Sequence, residues 1–327
     1  MENGTGQPIP SWPFNCLNSV LALLALALNI VVIVLCRRHL RDNSYLWFIG
    51  SLALADALCA VEGALLAQPW LMAYDSMCVL TPALSVVSVG AAVTSHPLLA
   101  VNRYVAVVRQ NWYKRLFDNR YSIGLLLSFN WALPVSFALV DYHAGCLERN
   151  RSDARCFLNA DPGQHECLVP KVIHFLISYV VLAYCYCKLF LALRNHQMRL
   201  ASSGVGSSSL ASDSQLLNLI GLHALLPVCI HVPVLSVLAV FPQLRMSYPF
   251  VLSIVLALFM CEAILDALLT LFIVKPFRAL VLEAVGACSA RISGMCRQGR
   301  RKTEVTSLDP KGTKSSMKRL VIRARHE

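Results

Sequence analysis

Residues 78–104 read CVLTPALSVVSVGAAVTSHPLLAVNRY. A cysteine opens the stretch, no charged residue follows for 24 positions, and Asn102-Arg103-Tyr104 closes it. Apolar runs of roughly 20 residues or more have the length that crosses a bilayer as helix. An arginine at the edge of such a run can keep its stem in hydrocarbon and its guanidinium in the headgroups. The stretch therefore reads as a transmembrane helix with a thiol at one membrane face and a fixed cation at the other.

The remainder of the 327 residues agrees, being 57% hydrophobic and 14% charged, where a soluble domain carries about 25% charged residues. Seven apolar runs stand out, at 16–36, 45–68, 79–107, 122–141, 169–194, 214–241 and 247–274. In lipid every backbone polar group must be satisfied within the protein, so runs of this length are helices. The expected fold is an all-α membrane protein, a seven-transmembrane helix bundle occupying residues 16–275 between an extracellular N-terminus (1–15) and a cytoplasmic end.

Orientation follows from the bases. None precedes the first run, whereas Arg37, Arg38 and Arg41 follow it, Arg109, Lys114, Arg115 and Arg120 lie between runs three and four, and Lys188, Arg194 and Arg199 lie at the end of run five and just past it. From Pro276 onward there are 12 Lys/Arg and 4 Asp/Glu, which accounts for 8 of the net +11 charges. By the positive-inside rule these segments are cytoplasmic. The charge thus speaks of anionic lipid as partner, not nucleic acid. A multi-pass plasma-membrane protein is expected, with the first run acting as a signal anchor, since no basic n-region precedes it. The sequons at Asn3 and Asn150 both fall on the outer side. Of 13 cysteines, Cys78, Cys146, Cys156 and Cys167 lie outside and can oxidise, in any of three pairings.

Taken together these features resemble the rhodopsin-like (class A) G-protein-coupled receptors. Asn29, the Leu52-Ala53-Leu54-Ala55-Asp56 run, Trp131, Asn102-Arg103-Tyr104 and Lys275-Pro276-Phe277-Arg278 stand where that family carries its helix markers. The resemblance implies a staple between Cys78 and Cys156, and a short amphipathic eighth helix over 276–290 before a basic tail (291–327). It also implies a switch at the inner membrane face, made of Asn102, Arg103, Tyr104, Tyr186 and Asp213, with Asp213 as a latch for Arg103. Partners implied are a heterotrimeric G protein, arrestin and a small-molecule ligand; no cofactor is implied. His174-Phe175-Leu176-Ile177-Ser178, together with Asn102 in place of aspartate and Ala267 in place of proline, is locally similar to the melatonin receptors, and that likeness points to an inhibitory-type G protein.

The chain also departs from the family. His231 replaces the tryptophan of span six, Ala267 the proline and Thr270 the tyrosine of span seven. These losses at switch positions keep open a receptor-like protein that does not signal. For the ligand pocket the resemblance selects Ser85, Val86, Val89, Asp141, Phe157, Leu158, His174, His231 and Val234. Ser85 stands where amine receptors place their aspartate, so a small neutral amphipathic ligand is favoured over an ammonium. Asp141 stands where melatonin receptors carry an asparagine. Span seven has no mid-membrane lysine, which argues against a retinal Schiff base.

A polar core of Asn29, Asp56, Glu262 and Asp266 is expected in mid-membrane, since ionisable residues inside spans are expensive and mark function. The family places a sodium ion at the position of Asp56. Carboxyl groups converging with His231 in low dielectric need cations or protons to compensate, so sensitivity to protons or sodium is expected. The same residues raise the reading of an intramembrane metalloenzyme, but their spacing matches no metal motif.

Overall fold

The computed structural model describes residues 12–39, 44–68, 70–71, 74–150, 155–158, 165–202, 221, 225–234, 249–274, 276–283 and 286. In chain order the elements are α1 (Trp12–His39), α2 (Tyr45–Leu66), α3 (Asp75–Val108), α4 (Gln110–Phe117), α5 (Arg120–His143), β1 (Leu147–Asn150), β2 (Arg155–Leu158), α6 (His165–Ser202), α7 (Leu225–Val234) and α8 (Pro249–Ile273). α1, α2, α3, α5, α6 and α8 are each long and apolar enough to span a membrane. Of the expected sixth span, residue 221 and α7 are described, and α7 is apolar; Asp213 lies outside the described residues.

The chain divides into Met1–Val274 and Lys275–Glu327. In the second unit residues 276–283 are helical, beginning at Pro276, a residue suited to a first helical turn because its missing N–H would have no partner there.

Within the first unit α2 and α3 are central. Residues in 61% and 56% of their apolar windows are buried, against 28% for α1 and 22% each for α5 and α6. α2 packs on α1, α3 and α8, and α3 on α2, α5 and α6. The peripheral helices turn Val20, Leu125 and Val180 outward, where hydrocarbon replaces water as their surroundings.

Two local devices set the bundle. Gly90 lets α3 meet α5 closely: a Cβ there would stand 2.8 Å from Cβ of Pro134. At the C-terminal end of α5 the chain leaves by a left-handed glycine, Gly145 (φ 71°). Its N–H bonds the Tyr142 carbonyl, while the Cys146 N–H reaches back to the Asp141 carbonyl at 2.8 Å. That pair of bonds is the Schellman closure, which satisfies the last carbonyls and needs a residue tolerant of positive φ.

One element departs from the all-helical expectation. β1 and β2 form an antiparallel hairpin, with Leu147 opposite Leu158 and Asn150 opposite Arg155. The hairpin packs on α3. Four-residue strands carry too weak an alternation to stand out in sequence, and pairing gives the loop's backbone groups partners.

Candidate functional site

The site is built from the end of the bundle that carries the Cys146–Cys167 bridge toward its middle. Cys146, delivered by the Schellman turn, is bridged to Cys167 in the first turns of α6. One helical turn on, Lys171 Nζ donates to Asp141 Oδ1 at 2.6 Å and also to the Cys167 carbonyl. The Asp141 side chain is 1% exposed. Its charge is therefore matched within the protein, and the ligand role expected for Asp141 is occupied by a lysine. Cys78 is buried and disulfide-bonded. Cys156, its expected partner, has its backbone in β2, opposite Arg149; the side chains of Cys156, Phe157, Leu158 and Asn150 lie outside the description, as does all of Asn3.

Deeper in, α2, α3 and α6 bring polar groups to an apolar interior. The Ser85 hydroxyl donates to the buried Glu62 carboxylate. His174 Nε2 and the Thr94 hydroxyl are 3.0 Å apart, and the imidazole lies against the Phe137 ring. Val86 and Val234 are buried, and Val89 packs against the cluster around Ala60 and Met260. The result is an apolar wall with hydrogen-bonding handles, the usual makeup of a small-molecule pocket.

At mid-membrane the expected core assembles, with one further member. Glu262 and Asp266 are one helical turn apart on α8, hence on one face. His96 of α3 stands between them: its Nε2 lies 4.0 Å from Glu262 Oε1 and 3.7 Å from Asp266 Oδ2. His231 Nε2 is 2.9 Å from Glu262 Oε2, and the Tyr179 hydroxyl is 2.6 Å from His231 Nδ1. A carboxylate on Nε2 places the proton there, so in the neutral ring Nδ1 accepts from Tyr179. Asp56 is buried and within electrostatic reach of Glu262 and Asp266. Asn29 donates to the Ala25 and Ala263 carbonyls at 3.0 and 3.1 Å, tying α1 to α8 beside the core.

This donor set suits a sodium ion poorly. Hard monovalent cations take oxygen ligands, whereas an imidazole nitrogen here separates the α8 carboxylates.

At the C-terminal end of α3 the Arg103 guanidinium lies over the Tyr45 ring, 3.5 Å from its centroid. Tyr104 meets the Tyr184 ring edge-on at 6.2 Å and, with Tyr186, packs on the cluster of Ala100, Leu182 and Cys185. Asn102 is 1% exposed, and its side-chain amide nitrogen has no hydrogen-bond partner.

Residues 27–269, three quarters of the chain, match the family described as 7 transmembrane receptor (rhodopsin family). The chain belongs to that receptor family. It is similar to melatonin receptor type 1B-B of Danio rerio, 27% identical over 192 residues that cover 55% of this chain and 54% of that one. Melatonin receptor type 1B of Homo sapiens is 28% identical over 195 residues, 56% of this chain and 53% of the relative. The G-protein coupled receptor moody of Drosophila pseudoobscura pseudoobscura is 25% identical over 175 residues, covering 51% and 26%. The match spans about half the length of the melatonin receptors named here. The protein is thus a multi-pass membrane receptor and not an enzyme.

Three residues of the receptor's interior escape a reading from sequence. His96 lies in a run of small and apolar residues and acquires meaning only when α8 is placed beside it. Lys171 looks like an interfacial base until Asp141 is found within reach. Asn130 belongs to the same group. Asn130 Nδ2 donates to Ser51 and Ser95 at 3.0 and 3.1 Å, and Trp131 Nε1 also donates to Ser51 at 3.0 Å. The common signal was a polar side chain inside a span, which by itself suggests a bundle-facing role.

Proposed function

We propose that this receptor takes a small amphipathic ligand between α2, α3, α6 and α7 and transmits its binding to a heterotrimeric G protein at the opposite face, with the N-terminus extracellular. One observation carries the proposal: α3 alone holds both ends of the path. Ser85, bonded to Glu62, and Arg103, stacked on Tyr45, lie 18 residues apart on it, about 27 Å at the helical rise. A continuous helix with a polar handle at one end and a restrained cation at the other links the two equilibria, provided the ligand prefers one of two bundle states.

The ligand chemistry follows from the handles. Asp141 is neutralised by Lys171, and Ser85 already donates to Glu62. A ligand with a hydrogen-bond donor can reach Glu62, and one with a donor or acceptor can meet the His174–Thr94 pair. An indole or a comparable amphipathic amide fits both; the melatonin receptors among its relatives favour that class and an inhibitory-type G protein, with arrestin as a second partner. The staple joins Cys78 to Cys156 in this reading, because β2 brings Cys156 to α3.

Expression in cells with cyclic AMP, calcium and arrestin readouts, across indole, lipid and peptide ligands, tests the proposal. A cyclic AMP fall that Arg103→Ala removes at equal surface expression supports it. Silence across the panel, with no activity in the absence of ligand, favours the second reading, a receptor-like protein without signalling. His231 gives that second reading its support, because a residue held from both sides by Tyr179 and Glu262 replaces the mobile tryptophan.

A further inference from the structure

We infer that His96, Glu262 and Asp266 form a buried site for a divalent cation of the zinc class, which joins α3 to α8 in mid-membrane. The three side chains offer one ligand atom each, all within 4.8 Å of one another, and all three residues are buried. The two measured edges are 3.7 and 4.0 Å. Ligand bonds of 2.0–2.1 Å in a tetrahedron separate donor atoms by about 3.3 Å. Closing the trio on an ion therefore needs less than about 1 Å along these two edges and at most about 1.5 Å across the third, between the α8 carboxylates.

Two further observations point to a ligand. Glu262 Oε1, the oxygen that faces His96, is buried with no hydrogen-bond partner, while its sister Oε2 is held by His231. Asp56 Oδ2 is likewise buried without a hydrogen-bond partner, in a side chain within electrostatic reach of both α8 carboxylates. Buried acceptors of this kind are costly unless something satisfies them. A metal ion bound by His96 Nε2, Glu262 Oε1 and an Asp266 oxygen satisfies the trio, and Asp56 is placed to complete the shell directly or through a water.

The donor set selects the ion. One imidazole nitrogen with two carboxylates is the ligand type that suits borderline transition metals, whereas sodium, magnesium and calcium prefer all-oxygen shells. Two carboxylates neutralise a dication. His231 is a positioning residue: its Nε2–H holds Glu262 Oε2, and Tyr179 fixes its tautomer, an arrangement that orients a metal-ligating carboxylate from behind. Bound metal restrains α3 against α8 and so favours whichever bundle state brings the three ligands together.

The test uses the full-length receptor, purified through a tag without histidine, placed in lipid nanodiscs and stripped with a chelator. Zinc chloride is added in a sodium-free buffer and again in sodium chloride. Bound zinc is measured by elemental analysis and thermal unfolding is followed in parallel. Cobalt(II) is substituted to read the ligand field from its visible bands. The expected result is one zinc per receptor, a raised unfolding temperature, and visible bands that indicate nitrogen and oxygen ligands. His96→Leu should abolish retention. His231→Phe, which removes a supporting hydrogen bond, should weaken it about 10–100-fold, and Asp266→Asn, an isosteric change to a ligand, should weaken it at least as much. Exposed His143→Gln should change nothing. The inference is overturned if zinc neither binds nor stabilises wild type, if His96→Leu and Asp266→Asn both retain zinc as wild type does, or if sodium alone gives the full stabilisation.

Discussion

Replacing Lys171 by methionine strands a carboxylate. The methionine keeps most of the aliphatic stem and removes the Nζ that stands 2.6 Å from Asp141 Oδ1. Asp141 is 1% exposed at its side chain and Lys171 16%, so water reaches the lysine end of the pair but hardly the aspartate. Breaking one partner of a buried pair costs about 3–5 kcal/mol. An escape exists, because Asp141 can take up a proton; from an ordinary carboxyl that costs about 4 kcal/mol at pH 7, at 1.36 kcal/mol per unit. Partial exposure of Lys171 places the expected loss near the lower bound, about 3 kcal/mol. For a chain of this size each kcal/mol moves the midpoint by about 2–4 °C. Lys171→Met should therefore lower the apparent unfolding temperature by about 6–12 °C. Asp141→Asn should cost less, since the lysine left behind can turn to water. The double variant should recover most of the loss, because no charge is then left uncompensated. Tryptophan fluorescence of unliganded receptor in nanodiscs, at one scan rate, measures all three. A double variant as unstable as Lys171→Met would refute the reasoning, for the loss would then come from packing instead of a stranded charge.

Three other perturbations test other parts of the structure. Tyr45→Leu removes the ring under Arg103, a contact worth about 0.5–2 kcal/mol; if it restrains the arginine, basal signalling should rise about 2–30-fold, whereas Arg103→Ala should abolish it, both measured by cyclic AMP at equal surface expression. Gly90→Ala forces a methyl to 2.8 Å from the Pro134 ring, which cannot swing aside, and should cost about 1–3 kcal/mol of thermal stability, whereas Gly124→Ala, whose new methyl meets nothing within 4 Å, should be neutral or stabilising. Cys78→Ser and Cys156→Ser should each lose surface expression, with Cys146→Ser milder; a cross-link is worth on the order of 2–4 kcal/mol, and peptide mapping that joins Cys78 to another cysteine would disprove the assigned staple.

The spans were legible because lipid enforces one rule on every segment it surrounds, and length plus apolarity state that rule in one dimension. The ends of the spans were less so: α3 starts at Asp75 and α6 runs on to Ser202, since a helix continues wherever its backbone bonds remain favourable and headgroups tolerate polar side chains. Asp56, Glu262, Asp266 and His231 were visible as polar residues out of place in hydrocarbon. Their grouping was not, because His96 joins them from a helix some 170 positions away in sequence. Asp141 shows the opposite case. Its position suggested a ligand contact, but Lys171, thirty residues on, takes that carboxylate, and no local pattern announces a pair closed between two helices.

The Asn130 hub bears on how this bundle can deform. A single amide reaches Ser51 on α2 and Ser95 on α3 from α5, with the Trp131 indole bound to the same Ser51. Close by in the same crossing, Gly90 lets α3 lie directly on Pro134. Three helices fastened by directional bonds and a tight steric fit behave as a stator, since sliding any one of them breaks bonds that hydrocarbon cannot replace. By contrast, among the described residues α6 meets α7 through one directional bond, Tyr179–His231, and through ring-to-ring contacts of Phe175 and Tyr179 with that imidazole. Resistance to sliding is thus concentrated where α2, α3 and α5 cross, and those three helices move as one body.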